Sequence, residues 1–204
     1  MGEFALGQSV PRFEDPRLLR GGGRYADDIT MPATAHGYVL RSEHAHAKIT
    51  ALNIEAAKKA PGVLAVLTGD DWIEGGYGDL PVPMSPILKR STGEPLYRPP
   101  YPALAKDTVK WIGDHVAFVV AETLQQAMDA ADLIDVTYEP LPAVITTEEA
   151  IKDGAPRVWD DCTNNICYNY QLGDKEATDK AFAAATHIIE RRLYINRVTA
   201  ATME

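Results

Sequence analysis

Two stretches of this sequence repeat one order of hydrophobic patterns, and that order restricts the fold more than any other feature. Each has a strand-like run, a short helical pattern and a second strand-like run, and they cover residues 47–68 and 115–140. Alternating apolar residues are typical of strands, whereas apolar residues three and four apart are typical of helices. We therefore predict a mixed α/β fold (α+β in its broader sense) built from two β-α-β units. Each crossover should be right-handed if the two strands of a unit lie parallel in one sheet.

The first unit follows a strand-like segment at residues 35–41. It consists of a strand over 47–53, a helix over 54–60 and a buried strand over 63–68. Pro61-Gly62 should end the helix, because proline cannot continue its hydrogen bonding.

The second unit begins with the strongly apolar strand 115–121. Thr123 should cap a helix that runs through Leu133. The predicted apolar face of this helix consists of Leu124, Ala127, Met128 and Ala131. The next strand carries Ile134, Val136 and Tyr138 in alternation and ends at Pro140 and Pro142.

A long connection over residues 69–110 separates the two units. It is rich in Gly, Pro and Tyr and has six prolines between Pro81 and Pro100. A loop of this length inside a compact domain is usually functional or packed against a partner. Proline also lowers the entropy lost when such a loop becomes ordered. We therefore expect this connection to dock a neighbouring polypeptide.

The character of the sequence changes after Thr146, and we place a domain boundary near residue 150. A short helix over 147–151 leads to a loop with Trp159, two cysteines, Tyr168 and Tyr170. A helix over 178–185 and a final strand over 186–195 follow. Because a strand needs partners for its backbone groups, we expect that the chain is cut short here or that the strand pairs with another polypeptide.

The composition narrows the class of partner. The formal net charge is −9, which argues against nucleic acid and against an anionic membrane surface, since both attract basic proteins. No apolar run approaches the roughly 18 residues of a transmembrane helix. Residues 1–7 lack the basic and apolar regions of a secretory signal, so we expect a cytoplasmic protein.

Two groups of side chains could bind metal ions. His44 and His46 would share one face of a strand, where two imidazoles can bind a metal; no third ligand stands at a short fixed spacing, so a structural role is favoured. Asp15 with Asp27-Asp28 could bind a hard cation. Such carboxylates more often accept backbone hydrogen bonds or pair with arginine, and four arginines lie nearby: Arg12, Arg17, Arg20 and Arg24.

The remaining candidates also favour structural roles. Gly21-Gly22-Gly23 lacks the preceding strand and following helix of a phosphate loop, so a tight turn is favoured. Cys162 and Cys167 could form a disulfide or half of a metal site, but without a second Cys/His pair two ordinary thiols are favoured. No hydrolase, kinase or zinc-protease motif is present. Residue chemistry therefore assigns no catalytic, cofactor-binding or metal-binding residue.

Eight segments, taken in order, add a resemblance to a known family. They are residues 12–15 (Arg-Phe-Glu-Asp), 19–28, 41–49, 60–68, 111–122, 127–143, Gly173-Asp174 with 181–185, and Met203-Glu204. Together they resemble the large, molybdenum-binding subunit of the molybdenum hydroxylases, which include xanthine dehydrogenase, aldehyde oxidase and the aerobic carbon monoxide dehydrogenases. The set covers nearly the whole chain and is most similar to the carbon monoxide dehydrogenase-like large chains.

The resemblance implies a division of the chain and a larger assembly. Residues 1–17 would be an N-terminal extension, 18–145 an α/β hammerhead domain, and 146–204 the incomplete beginning of a molybdopterin-binding domain. The family uses molybdenum on a molybdopterin dinucleotide, with 2Fe-2S clusters and FAD on partner subunits or domains. The resemblance also implies flavin and iron–sulfur subunits as partners, and a homodimer of the complete assembly.

The same resemblance implies what these residues would not do. The family's cofactor-contacting and catalytic residues would lie beyond Glu204, so the segment alone is expected to be inactive. The family's substrates are carbon monoxide, an aldehyde, a purine or another N-heterocycle. The residues that select among them would also lie outside this segment. The expected role here is scaffolding and subunit docking; the alternative is a stand-alone binding or assembly module.

Overall fold

The computed structural model describes residues 11–29, 31–82, 93, 95–195 and 198. The chain divides into two compact bodies, which are described separately. The smaller body combines residues 1–34 with 187–204, and the larger body is residues 35–186. The expected features at residues 1–10, 83–92, 196–197 and 199–204 lie outside the described residues.

The larger body contains strands and short helices. The strands are β1 (His36–Arg41), β2 (Ala47–Asn53), β3 (Val63–Thr68), β4 (Thr108–Val109), β5 (His115–Ala121) and β6 (Asp135–Pro140). The helices are α2 (Glu55–Lys58), α3 (Gly69–Glu74), α4 (Leu124–Ala131), α5 (Thr147–Ala150) and α6 (Lys175–Ala184), and the smaller body holds α1 (Asp15–Leu18). This mixed α/β composition confirms the predicted fold class.

The strands form two three-stranded antiparallel sheets. The first sheet has the order β1-β5-β3 and the second has the order β4-β2-β6. In the first sheet, Val119 of β5 lies opposite Tyr38 of β1 and Val66 of β3. In the second sheet, Ile49 of β2 lies opposite Tyr138 of β6.

One core forms where α4 packs on the inner face of the first sheet. The alanine side chains of α4 and β5 allow the helix to lie close to the sheet, in line with the close packing of protein interiors. The buried members are Ala57, Val66, Ala117, Val119, Ala121, Ala127, Ala130, Ala131 and Ile134. A second, smaller core consists of Ala47, Ala105, Val109 and Val116 and supports the second sheet.

The condition for a right-handed parallel crossover is not met in either β-α-β unit. The strands that flank α2 belong to different sheets, and so do those that flank α4. Each strand instead pairs antiparallel with a strand distant in sequence. The two helices therefore pass from one sheet to the other and do not return the chain to the same sheet.

The predicted apolar face of α4 is partly wrong. Ala127 and Ala131 are buried as expected, and Ala130 joins them, but Leu124 and Met128 are exposed. Apolar side chains three and four residues apart form a stripe along a helix. The neighbouring elements determine which residues of that stripe become buried. Close packing on β5 selects the alanine side of this helix.

The final strand predicted over residues 186–195 is also wrong. Residues 187–195 lie outside any strand, and their apolar side chains are in solvent, with Ile189 84% and Ile195 92% exposed. An extended run becomes a strand only beside another strand, and the described residues supply none.

Candidate functional site

The strongest candidate for a binding site is a polar cavity in the larger body. Its volume is about 420 Å³, and it opens beside the second sheet. Its lining residues are His46, Lys48, Thr108, Lys110, Leu141, Val158, Trp159, Asp160 and Asp161. The paired ends of β2 and β4 supply Lys48 and Thr108, because Lys48 lies opposite Thr108 in the ladder.

Side-chain hydrogen bonds of Asn165 position the other wall of the cavity. Asn165 has a positive φ of 55°, a conformation that asparagine tolerates better than most residues. Its Nδ2 donates to the carbonyl oxygens of Ala150 and Pro156, both at 2.9 Å, and its Oδ1 accepts from Val158 N at 3.0 Å. These bonds fix the segment that carries Trp159 and the two aspartates.

Several charged groups of the lining already have partners within the chain. His46 Nδ1 donates to the carbonyl oxygen of Pro142 at 2.9 Å, and Lys48 Nζ lies 3.8 Å from a Glu139 carboxylate oxygen. The hydroxyl of Tyr97 donates to Asp161 at 2.6 Å. Burial raises the pKa of the Tyr97 hydroxyl, and the bond to Asp161 raises that pKa further, so the donor stays protonated.

The indole N–H of Trp159 is the one buried side-chain polar group without an acceptor among the described residues. Such groups are rare, because a buried donor left unpaired loses its hydration without compensation. The cavity as a whole combines lysine and aspartate side chains. It can hold a polar ligand or side chain.

The two candidate histidines lie at the start of the second sheet but make separate contacts. The ring of His44 lies against Tyr138 with centroids 4.7 Å apart, whereas His46 bonds to Pro142. The described residues hold no group of three or more histidine, cysteine or carboxylate side chains that could bind a metal. The structural role favoured for this pair remains a prediction, which these contacts support.

The acidic and glycine-rich candidates of the smaller body take part in local structure. Asp15 pairs with Arg12 Nε at 3.1 Å, and Asp28 accepts from Tyr25 N at 2.9 Å; Asp27 lies in the same 3₁₀ turn, Ala26–Asp28. Gly21, with φ 73°, ends α1: its N–H donates to the Leu18 carbonyl, and Gly22 N–H donates to the Arg17 carbonyl. This is the hydrogen-bond pattern of a Schellman motif, so the tight turn predicted for the glycines is present.

The cysteines do not fit an iron–sulfur cluster. Neither forms a disulfide, Cys162 is buried, and the chain has only two cysteines, whereas such clusters take four thiolates, or two with two histidines. The described residues also lack the ligand group that a protein-bound metal needs. No step of chemistry is therefore assigned to this segment.

Sequence patterns missed most of the cavity. Lys48, Lys110 and Asp161 belong to a strand and loops that are distant in sequence. The pairing of β2 with β4 brings Lys48 near Lys110, and the hydrogen bonds of Asn165 position the segment that carries Asp161. The sequence shows Trp159 as a large residue in a loop. It does not predict that the indole N–H is buried without an acceptor, because that depends on the surrounding packing.

Comparison with known proteins identifies the class to which this fold belongs. Residues 20–142 match the family model described as aldehyde oxidase and xanthine dehydrogenase, a/b hammerhead domain. The chain belongs to this family, as the resemblance implied, and its relatives are oxidoreductases.

Individual relatives align along nearly the whole chain. The chain is 35% identical to the nicotine 6-hydroxylase large subunit of Paenarthrobacter nicotinovorans over 98% of its own length and 23% of that protein. It is 32% identical to the carbon monoxide dehydrogenase large chain of Afipia carboxidovorans, over 98% of its length and 24% of that chain. A crystal structure of Cu,Mo-CO dehydrogenase superposes with a TM-score of 0.67 at 32% identity, covering 89% of this chain and 23% of the other. The chain thus spans about a quarter of these relatives.

The helices of the described residues were also compared with the requirements of a membrane span. None is both long and apolar enough to cross a bilayer.

Proposed function

We propose that this chain works as the hammerhead segment of the large subunit of a molybdenum-dependent hydroxylase or dehydrogenase. The observation that carries this proposal is the alignment of nearly the whole chain with the large chains of carbon monoxide dehydrogenase and nicotine 6-hydroxylase. A carbon monoxide dehydrogenase-like or an aldehyde or xanthine dehydrogenase-like enzyme both fit that alignment.

The task of the segment within such an enzyme is structural. It shapes one side of the approach to the substrate and docks neighbouring polypeptides, and alone it is inactive. In keeping with this role, the described residues hold no group of three or more histidine, cysteine or carboxylate side chains that could bind a metal. Molybdenum on a molybdopterin dinucleotide is then held by polypeptide outside residues 1–204, and FAD and 2Fe-2S clusters by partner subunits or domains.

The test is purification of the native assembly. A tag is placed at the N-terminus of the chromosomal gene in the natural host, the assembly is isolated without denaturation, and its metal content and polypeptides are measured by elemental analysis and mass spectrometry. We expect stoichiometric molybdenum together with flavin and iron–sulfur polypeptides. A tagged chain that purifies free of molybdenum and of redox partners would instead identify a stand-alone assembly module.

A further inference from the structure

The polar cavity of the larger body has two walls of opposite charge, and the first wall is one face of the second sheet. Ala47 and Val109 are fully buried in the smaller core. Because successive residues of a strand lie on opposite faces, the residues on either side of these two lie on the other face of the sheet. We call them the basic wall, and all four line the cavity: His46, Lys48, Thr108 and Lys110.

The basic wall is rich in hydrogen-bond donors. Lys48 Nζ lies 3.8 Å from a Glu139 carboxylate oxygen, and both side chains are more than half exposed, at 54% and 60%. Such an exposed pair is weak, and an ammonium group has three donors, so Lys48 can also bind a ligand. Lys110 adds a second ammonium group and Thr108 a hydroxyl. Donors of this kind, two of them charged, are suited to a carboxylate.

The opposite wall has the chemistry that binds a cation. We call it the acidic wall, defined by Trp159, Asp160 and Asp161, which also line the cavity. Asp161 accepts from the Tyr97 hydroxyl through Oδ1 and has a second oxygen for another donor, and Asp160 is exposed. The indole nitrogen of Trp159 is inaccessible, so the ring lines the cavity with carbon atoms. An aromatic surface beside carboxylates attracts an ammonium group.

The two walls remain separate across the cavity. In the described part of the chain, no ion pair joins a lysine of the basic wall to an aspartate of the acidic wall, and Lys48 and Asp161 have Glu139 and Tyr97 as partners instead. The space between the walls is about 420 Å³, which lies within the range of small-molecule sites, roughly 300–1,000 Å³. A ligand with one charge would be attracted by one wall and repelled by the other, whereas a ligand with both charges complements both walls.

We propose that this cavity binds a small zwitterionic ligand of the amino-acid type, with its carboxylate on the basic wall and its ammonium group on the acidic wall. The inference goes beyond the proposed function, because it requires binding only and no redox step. It also gives a role to the lysine and aspartate side chains that strand pairing and the hydrogen bonds of Asn165 place around the cavity.

Equilibrium dialysis of the native tagged assembly tests the proposal with three probes of similar length. γ-Aminobutyrate carries both charges, butyrate carries only the carboxylate and butylamine carries only the ammonium group. We expect the Kd of γ-aminobutyrate to be at least about tenfold lower than that of either singly charged probe, since only γ-aminobutyrate complements both walls. Equal affinities for the three probes, or no binding of γ-aminobutyrate because a polypeptide fills the cavity, would overturn the proposal.

Two substitutions test each wall separately. Lys110→Met should raise the Kd of γ-aminobutyrate about tenfold without weakening the binding of butylamine, and Asp160→Asn should raise it by a similar factor without weakening the binding of butyrate. The probe that still binds shows that each variant is folded. Lys59→Met, at a lysine that is 78% exposed and lies outside the cavity, is the control and should change no Kd by more than about twofold.

The same variants distinguish the cavity from other sites of the assembly. If γ-aminobutyrate binds the Lys110→Met and Asp160→Asn variants as tightly as the parent assembly, the probe occupies another site and the proposal is wrong. The molybdenum content of these preparations tests the proposed function independently, because loss of probe binding with molybdenum retained concerns the cavity alone.

Discussion

At the scale of single residues, Asp114 is a buried carboxylate that holds the backbone on both sides of the turn between β4 and β5. It is 7% exposed, and its two carboxylate oxygens accept from Lys110 N and His115 N, both at 3.0 Å. Its backbone carbonyl accepts from Ser42 N at 2.8 Å. The side chain therefore fixes the turn that aligns β5 with β1.

Removal of this side chain should destabilise the protein. Asp114→Ala leaves two partly buried N–H groups without their acceptors, and we expect a loss of about 1–3 kcal/mol in the free energy of unfolding, measured by urea titration. Asp132→Ala, at an exposed position that follows α4, is the matched control and should stay within about 0.5 kcal/mol. Equal losses in the free energy of unfolding for the two variants would show that the hydrogen bonds of Asp114 do not stabilise the fold.

The pH dependence of stability should carry the signature of Asp114. Burial raises the pKa of this carboxyl above its ordinary value despite the two bonds that lower it. The folded state then holds the proton more tightly than the unfolded state. Stability should therefore fall as pH rises from the unfolded pKa, about 3.9, through the raised folded pKa.

This contribution can be isolated with Asp114→Asn, which cannot titrate. The free energy of unfolding of the parent protein minus that of the variant, measured by urea titration from acid to neutral pH, should decrease across the same window. An increase would mean that hydrogen bonding to the carboxylate outweighs its burial.

Gly37 offers a test of the contact with Phe118. A methyl group at Gly37 would meet the Phe118 ring at 2.4 Å, so Gly37→Ala should cost about 1–3 kcal/mol in urea unfolding. In a Phe118→Ala background the same change should cost less, which gives a measurable coupling energy. Gly78→Ala, where no atom lies within 4 Å, should have little effect in either background.

At the scale of elements, α3 illustrates how side chains start a helix within a long connection. Thr68 N and Oγ1 both donate to Asp71 Oδ2 at 2.7 Å, and Thr68 Oγ1 accepts from Asp71 N. This reciprocal arrangement is a capping box. The bonds from Thr68 lower the pKa of Asp71, so they strengthen when the carboxylate is charged.

Loss of the cap should weaken this helix. Thr68→Ala is expected to lower the free energy of unfolding by about 1 kcal/mol. The effect should shrink as pH falls through the lowered pKa of Asp71, since protonation removes the charged acceptor. Glu74→Ala, an exposed position of the same helix, serves as the control. A Thr68→Ala penalty that is unchanged at acid pH would contradict the role of the charged cap.

The elements differ in how far the sequence could predict them. The strands 63–68 and 115–121 were predicted with their observed bounds, because their continuous apolar runs are local signals. Their antiparallel pairing was not predictable from a local pattern, since β1 and β5 are distant in sequence. Helix α3 was hidden in a connection interpreted as a loop, although Thr68 and Asp71 form a recognisable start signal.

The candidate site shows the same limit more strongly. Each histidine and aspartate motif was visible in the sequence, and the contacts found for Asp15, Asp28 and Gly21 agree with the structural roles favoured for them. The cavity could not be predicted, because Lys48, Lys110 and Asp161 are distant in sequence. Strand pairing and the hydrogen bonds of Asn165 place them around one cavity. Domain boundaries near 18 and 145 remain predictions.

At the scale of the whole molecule, the family assignment and the exposed apolar surface lead to the same physical expectation. A chain that spans about a quarter of its relatives and leaves apolar side chains in solvent should associate non-specifically when it is produced alone. Residues 187–195 contribute strongly, with Ile189, Leu193 and Ile195 each more than 80% exposed.

Replacing these three residues by lysine should reduce association of the isolated chain several-fold, as measured by light scattering and by binding of a hydrophobic dye. The midpoint of urea unfolding should not change, because the side chains bury little area. The substitutions also reduce the magnitude of the net charge from −9, which by itself favours association. A fall in association must therefore come from the lost apolar surface. Lysine at Thr137, Thr163 and Gln171, which are exposed polar positions, makes the same charge change and should not lower association; if it does, charge rather than apolar exposure is responsible.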